Sequence, residues 1–250
     1  MSSAAQVESF FRSMDPPVRG FLHHPQHNSG DGLVLTHGAG SNAQAPLLIA
    51  LAETFSAAGF IVLRCDLPYR QVRSFGPPGP ADAARDRAGL KNALSALANE
   101  LTNDLGAPHL AASARRGNLD PSHPSESPRP PKIFLGGHSY GGRQSSMFCA
   151  EQPDLVPGLL LLSYPLHPPR KPEQQRTQHL PDLRTPTLFV HGTRDPFGSV
   201  AEIEQALKMI PGKTKLLPIE GAGHDLGFKG KTRKEDLLAR ILAAFKSFVG

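Results

Sequence analysis

The sequence predicts an α/β protein with a mostly parallel central sheet flanked by helices on both faces. Three observations carry this. Short apolar runs alternate with amphipathic stretches along the chain, the pattern of strand–helix–strand units. Several of those runs, such as Leu33-Val34-Leu35 and Leu159-Leu160-Leu161-Leu162, are continuously apolar, as strands covered on both faces must be. The residues best suited to chemistry stand directly after such runs, at the carboxyl ends of strands, where open α/β sheets carry their sites.

In order, residues 18–22 alternate in character and read as an early strand at a sheet edge. Residues 33–36 are a buried strand running into His37-Gly38-Ala39-Gly40. Residues 46–58 read as a helix, with Pro46 near its start and Gly59 closing it. Residues 60–63 form another buried strand ending near Asp66. Over 81–101, Leu90, Leu94, Leu97 and Leu101 recur at helical spacing and predict an amphipathic helix. The stretch 106–131 is rich in Pro, Ser, Gly, His and Arg and reads as a flexible surface insertion. Strands follow at 133–135, 158–162, 187–190 and 215–219. Helices are expected from the end of the first of these to about residue 152, and at 200–209 and 235–248. Residues 164–182 leave the sheet as a short lid-like loop, too short for a large cap domain. The 250 residues suffice for one core, so 1–250 is read as a single domain.

Composition excludes several function classes. A net charge of +5 is too weak to argue nucleic-acid binding, and the cluster Lys229, Lys231, Arg233 and Lys234 reads as solvated surface. No run approaches the ~18 apolar residues of a membrane span, and the N-terminus lacks a basic then apolar leader. Cys65 and Cys149 are too few for a disulfide framework, which suits a reducing compartment; a cytoplasmic location is expected. His23, His24 and His27 lack a cysteine or carboxylate partner at ligand spacing, so no metal site is expected there, and the serine chemistry read below needs neither metal nor organic cofactor.

The heptapeptide Gly136-Gly137-His138-Ser139-Tyr140-Gly141-Gly142 is the most informative feature. Strand, G-x-S-x-G and helix in succession make a nucleophile elbow. Ser139 must adopt positive φ to project its hydroxyl, and the crowded positions two residues either side demand Gly137 and Gly141. A serine needs a base, and the base needs an acceptor on its other nitrogen. Asp195 follows the strand at 187–190 and His224 follows that at 215–219, completing the chain order Ser, acid, His. His191 is the rival base; Asp225, merely adjacent to His224, is discounted as the acid. An oxyanion needs two backbone donors, expected from Tyr140, next after the nucleophile, and from Ala39 in the His37–Gly40 turn, with Gly40 second. Arg64, Asp66, Tyr69 and Arg70 form either a structural ion pair or a pocket mouth. His37, His167 and Arg170 are substrate-binding candidates, with Lys171 and His179 as further groups for an acidic substrate moiety.

Together these residues resemble the α/β-hydrolase superfamily, and more narrowly its dienelactone-hydrolase-like branch, including predicted bacterial hydrolases related to testis-expressed and NSL-complex subunit proteins. The likeness rests on residues 35–42, 65–69, 137–143, 164–169 and 191–198. It implies a serine hydrolase fold and activity, with natural substrates undefined and some non-catalytic members. Tyr140 departs from the Met often found after the family's serine, and 106–131 has no counterpart. The expected function is cleavage of a carboxylic ester or thioester of a small-molecule acyl substrate through an acyl-enzyme. The alternatives are a non-catalytic scaffold on the same fold and a peptidase using the same three residues.

Overall fold

A computed structural model describes residues 6–113, 130–228 and 234–250. The chain begins with β1 (Gln6–Arg12) and β2 (Val18–His24), then β3 (Gly32–Thr36), α1 (Pro46–Ala57), β4 (Ile61–Cys65) and α2 (Pro68–Val72). The long α3 (Asp82–Ser113) precedes β5 (Ile133–His138), α4 (Tyr140–Glu151) and β6 (Leu159–Leu162). After a 3-10 turn at Leu180–Asp182 come β7 (Thr187–Gly192), α5 (Val200–Leu207), β8 (Thr214–Ile219) and α6 (Lys234–Val249). The eight strands form one sheet in the order β1-β2-β4-β3-β5-β6-β7-β8. All neighbours from β4 through β8 run parallel, and the two pairings of β2 are antiparallel.

The continuous apolar strands are explained by what lies on either side. Successive side chains of a strand point to opposite faces. Leu33, Leu35, Leu160, Leu162, Leu188 and Val190 therefore pack into one core with α1 and α6, while Val34, Leu159, Leu161 and Phe189 pack into the other with α3, α4 and α5. Phe55, Phe134 and Phe245 meet edge-on in the first core, with ring centroids 5.2–5.6 Å apart.

Two sequence expectations are corrected here. Residues 18–22 do not lie at a sheet edge, because β1 covers β2. β1 escapes the sequence pattern because only Phe10 of its seven residues is buried, as an outermost strand requires. The helix read over 81–101 continues to Ser113, overrunning the first part of the stretch read as an insertion. The remainder of that stretch, 114–129, lies outside the described residues, as do Lys229, Lys231 and Arg233. Cys65 and Cys149 are unpaired and buried, and burial pushes each thiol up to about 12. Among the described residues, no helix is long and apolar enough to cross a membrane.

The histidines near the N-terminus have structural partners. His24 lies 3.3 Å from Glu8, and buried His23 accepts a hydrogen bond on Nε2 from Arg64 Nε at 2.8 Å. Accepting there requires a neutral ring; burial, then the Arg64 charge, pushes His23 down to about 4. Arg64 Nη1 also donates to Ala43 O at 2.5 Å, and Ala43 N donates to Asp66 Oδ1 at 2.7 Å. Arg64 and Asp66 thus form no ion pair with each other: they grip one residue of the loop after β3 from both sides.

A histidine kept neutral in the fold gains its proton only on unfolding between pH 6.5 and about 4. The unfolded state binds more protons in that window, so stability falls as pH falls, by up to about 1.4 kcal/mol per pH unit for His23. Urea unfolding measured from pH 7 to 5 should show this slope. His23→Gln, which keeps an acceptor for Arg64 but has no proton to gain, should flatten part of it.

Candidate active site

The chain runs from β3 to β4 on one side and returns to β5 on the other, so β3 and β5 are neighbours at the point where strand order reverses. A crevice opens there, beyond the carboxyl ends of the strands. β5 enters it through Ser139, at φ 52° and ψ −115°, and α4 starts at the next residue. Ser139 N donates to Leu162 O at 2.8 Å and Arg143 N donates to Ser139 O at 2.9 Å, holding the strained residue from both sides. A Cβ on Gly137 would stand 2.6 Å from Gly141 C and Gly142 N; one on Gly141 would stand 2.6 Å from His37 O. Both glycines are there because two strand ends and a helix start crowd together.

Ser139, His224 and Asp195 form one hydrogen-bonded line. The Ser139 hydroxyl lies 2.8 Å from His224 Nε2. His224 Nδ1 lies 2.8 and 3.0 Å from the Asp195 carboxylate oxygens. A carboxylate only accepts, so Nδ1 carries the proton and Nε2 is left to accept from the serine. Asp195 is buried, and Phe197 N donates to its Oδ1 at 2.9 Å. The Phe197 ring lies against the His224 imidazole, centroids 4.1 Å apart. His138 donates from Nε2 to the His224 carbonyl at 2.8 Å, and burial pushes its imidazole down to about 4, so a neutral ring backs His224. His191, the rival base, is buried beside Asp195 and donates to Gly198 O at 2.7 Å. Asp225 accepts from Gly227 N.

The turn after β3 is held from behind. His37 Nδ1 donates to Gly38 O at 2.9 Å, and Nε2 accepts from Leu67 N at 3.1 Å. Tyr69 donates its hydroxyl to Ala39 O at 2.8 Å. Arg70 donates to Ala39 O at 2.9 Å and to Ser41 O at 2.7 Å. With these carbonyls drawn back by α2, Gly38, Ala39 and Gly40 line the crevice opposite Ser139.

Asp86, on α3, ties this turn to the elbow. Its Oδ2 accepts from the Tyr140 hydroxyl at 2.7 Å and its Oδ1 from Tyr69 N at 3.0 Å. The two tyrosine rings meet edge-on at 5.7 Å. Asp86 is fully buried, and burial raises its carboxyl above the ordinary range while the two hydrogen bonds pull it down. Burial, then the bond to Asp86, raises the Tyr140 phenol, which stays protonated as the donor. The sequence reading missed Asp86, although a signal exists: it lies four residues before Leu90, on the same helical stripe as Leu94, Leu97 and Leu101.

The crevice is a cavity of about 1050 Å³ reached by Ser139 and His224, with apolar walls that include Leu47, Leu48, Phe197 and Phe228. The substrate-binding candidates fare differently from the other site residues. His37 adjoins the cavity, but its ring is fully buried with both nitrogens engaged, so it shapes the turn. His167 donates to Pro168 O, faces Glu202 at 3.5 Å and does not line the cavity. Arg170 is exposed and outside it, and His179 bonds Ser146 Oγ at 2.8 Å. The arginines that do line the cavity are Arg143 and Arg176. Nothing in the sequence marks either as a cavity residue: Arg143 falls in a helix and Arg176 in a polar loop without pattern. Among the described residues, no three His, Cys, Asp or Glu side chains converge as a metal site.

A family model described as an alpha/beta hydrolase domain matches residues 30–250. Among solved structures, a dienelactone hydrolase from Anabaena variabilis superposes with TM-score 0.66 at 21% identity, covering 98% of this chain and 97% of that one. An alpha-beta serine hydrolase homologue from Coxiella burnetii gives 0.66 at 16%, covering 95% and 96%. Est1E from Butyrivibrio proteoclasticus gives 0.62 at 14%, covering 96% and 98%. At these identities the likeness is one of fold. A 48-residue stretch, 19% of the chain, is 52% identical to part of the polyketide synthase ThaQ of Burkholderia thailandensis and spans 2% of that protein's length.

Removing the phenol donor by Tyr140→Phe leaves one oxygen of a buried carboxylate without its partner. Chemical denaturation should show a loss of about 1–3 kcal/mol. An unchanged unfolding midpoint would mean that the Asp86 bond carries no weight.

Proposed function

The chain belongs to the alpha/beta hydrolase family and is a hydrolase, and we propose that it cleaves a small-molecule carboxylic ester or thioester through an acyl-enzyme on Ser139. The observation that carries this reading is the unbroken line Ser139–His224–Asp195 at the wall of a cavity large enough for an acyl substrate. The dienelactone hydrolase among the structural neighbours supports it by name.

Ser139 Oγ attacks the carbonyl carbon while its proton passes to His224 Nε2. The carbonyl oxygen becomes an oxyanion, held by the N–H groups of Tyr140 and Ala39. Tyr140 opens α4, where the first backbone N–H groups have no acceptor within the helix. Collapse of the tetrahedral intermediate breaks the bond to the leaving group, which takes the proton from Nε2. Water then attacks the acyl-enzyme with His224 as base, releasing the acid and restoring Ser139. Asp195 holds Nδ1–H and offsets the positive charge on the imidazolium. Each step uses groups of this chain and water. Unpaired, buried Cys65 and Cys149 support a cytoplasmic protein.

A fluorophosphonate should label Ser139 stoichiometrically, located by mass spectrometry, and Ser139→Ala should abolish both adduct and hydrolysis, by on the order of 10⁴-fold or more. Asp195→Asn should lower kcat by roughly 10²–10⁴-fold. Hydrolysis should depend on pH, and His138, neutral down to about pH 4, should add no limb to its profile above pH 5. A pH-flat rate that survives Ser139→Ala, or a folded protein that forms no adduct, would overturn the mechanism.

A further inference from the structure

We infer that His138 is a specificity-determining residue: its Nδ1 is an open acceptor beside the elbow, placed to receive a hydrogen bond from a hydroxyl or N–H that the substrate carries close to the bond that is cleaved. This role rests on the serine-hydrolase reading above and narrows the substrate class for it.

His138 is the last residue of β5, immediately before Ser139, and it lines the same cavity as Ser139 and His224. Its partner fixes its tautomer. Nε2 stands 2.8 Å from the His224 carbonyl oxygen, and a carbonyl only accepts, so Nε2 carries a proton. Burial keeps the ring neutral down to about pH 4. A neutral imidazole has one N–H, so Nδ1 presents a bare lone pair. Among the described residues that nitrogen has no hydrogen-bond partner. Nor is it sealed in the core, as the unpartnered Nδ1 atoms of His23 and His191 are. His37 and His224 each engage both ring nitrogens within the protein. His138 engages one and leaves the other to the cavity.

The glycine opposite shows where Nδ1 faces. A Cβ on Gly38 would stand 3.0 Å from His138 Nδ1 and 3.3 Å from Ser139 Cβ. Nδ1 and the nucleophile therefore border one gap, which stays open because position 38 has no side chain. A lone pair repels an oxyanion, so Nδ1 reads a different part of the substrate from the N–H groups proposed to hold that charge. It disfavours an ether or carbonyl oxygen in the gap and favours O–H or N–H. The gap adjoins the serine that bonds to the carbonyl carbon, so the donor belongs on an atom close to that carbon. A 2-hydroxyacyl group places a hydroxyl there from the acyl side. A monoester of a 1,2-diol places one there from the leaving-group side.

The test compares esters that differ in whether the neighbouring oxygen can donate. On the acyl side, phenyl 2-hydroxybutyrate is set against phenyl 2-methoxybutyrate. On the leaving-group side, 2-hydroxyethyl butyrate is set against 2-methoxyethyl butyrate. In at least one arm the hydroxyl ester should exceed its methyl ether by about tenfold in kcat/KM, as one hydrogen bond allows. His138→Phe loses both contacts of the ring, so both esters should slow and the ratio should fall by about the same factor. His138→Asn sets an amide oxygen near the place of Nδ1 without the reach to the His224 carbonyl. Both esters should then slow while the preference is largely kept. If His138→Phe does not fold, His138→Met takes its place.

A histidine that only supports His224 would slow the two esters alike and leave the ratio unchanged, which overturns the subsite. Equal rates in both arms, in wild type that a fluorophosphonate labels on Ser139, overturn it too. Either result leaves the hydrolase reading standing. Should no adduct and no turnover be found, the hydrolase reading fails by itself, and binding decides the subsite. A rise in Tm with 2-hydroxybutyramide beyond that with 2-methoxybutyramide, lost in His138→Phe, supports it; equal shifts overturn it.

Discussion

The close approach of β3 and β5 at their carboxyl ends is the constraint on which the rest of the site depends. Thr36 pairs with Gly137 across the two strands, and Gly141 N reaches back to His37 O at 3.1 Å. No side chain fits in that space, so the positions are glycine, and the strained serine is placed where its hydroxyl clears the sheet. The strain at Ser139 is stable because hydrogen bonds to β6 and to α4 hold it from both sides. One crowded junction thus sets Ser139 and, near it, the turn of Gly38, Ala39 and Gly40 that lines the crevice.

A second layer keeps that turn in shape. Its carbonyls are taken up by His37, Tyr69 and Arg70, and the tyrosine is tied through Asp86 to Tyr140 at the start of α4. Burying a carboxylate costs free energy unless its oxygens are bonded, and both oxygens of Asp86 are. The network leaves the two proposed oxyanion donors little freedom to move independently. This is the arrangement electrostatic stabilisation requires, because dipoles set beforehand need no reorganisation during the reaction.

The sequence made the fold and the candidate catalytic residues legible for related reasons: Ser139 and Asp195 come just after the largely buried strands β5 and β7, which announce themselves as apolar runs, and His224 follows β8, half-exposed along most of its length but still marked by Leu216, Leu217 and Ile219. Ser139, Asp195 and His224 could be placed by counting strands. What lay beyond was set by tertiary contact. β1 carried no clear signal because an outermost strand buries little: only Phe10 is inside, while Val7 and Phe11 face outward. Asp86 interrupts an otherwise apolar helical stripe, a local signal whose meaning depends on two tyrosines distant in sequence. His167 and Arg170 looked suited to bind substrate, but the segment that carries them turns the first inward to Glu202 and the second to solvent, while Arg176 faces the cavity.

The bond between Tyr140 and Asp86 also joins two positions that are 54 residues apart into one coupled unit. A relative with an apolar residue such as Met after its serine has no hydroxyl to offer, and a buried carboxylate at the helical position would then lose a donor. Substituting either one alone passes through an intermediate whose helix holds an under-satisfied charge, or whose phenol has no acceptor. A lineage that acquired both at once would be slow to give either up, and the identity of the residue after the serine would then report on helix α3 rather than on the substrate.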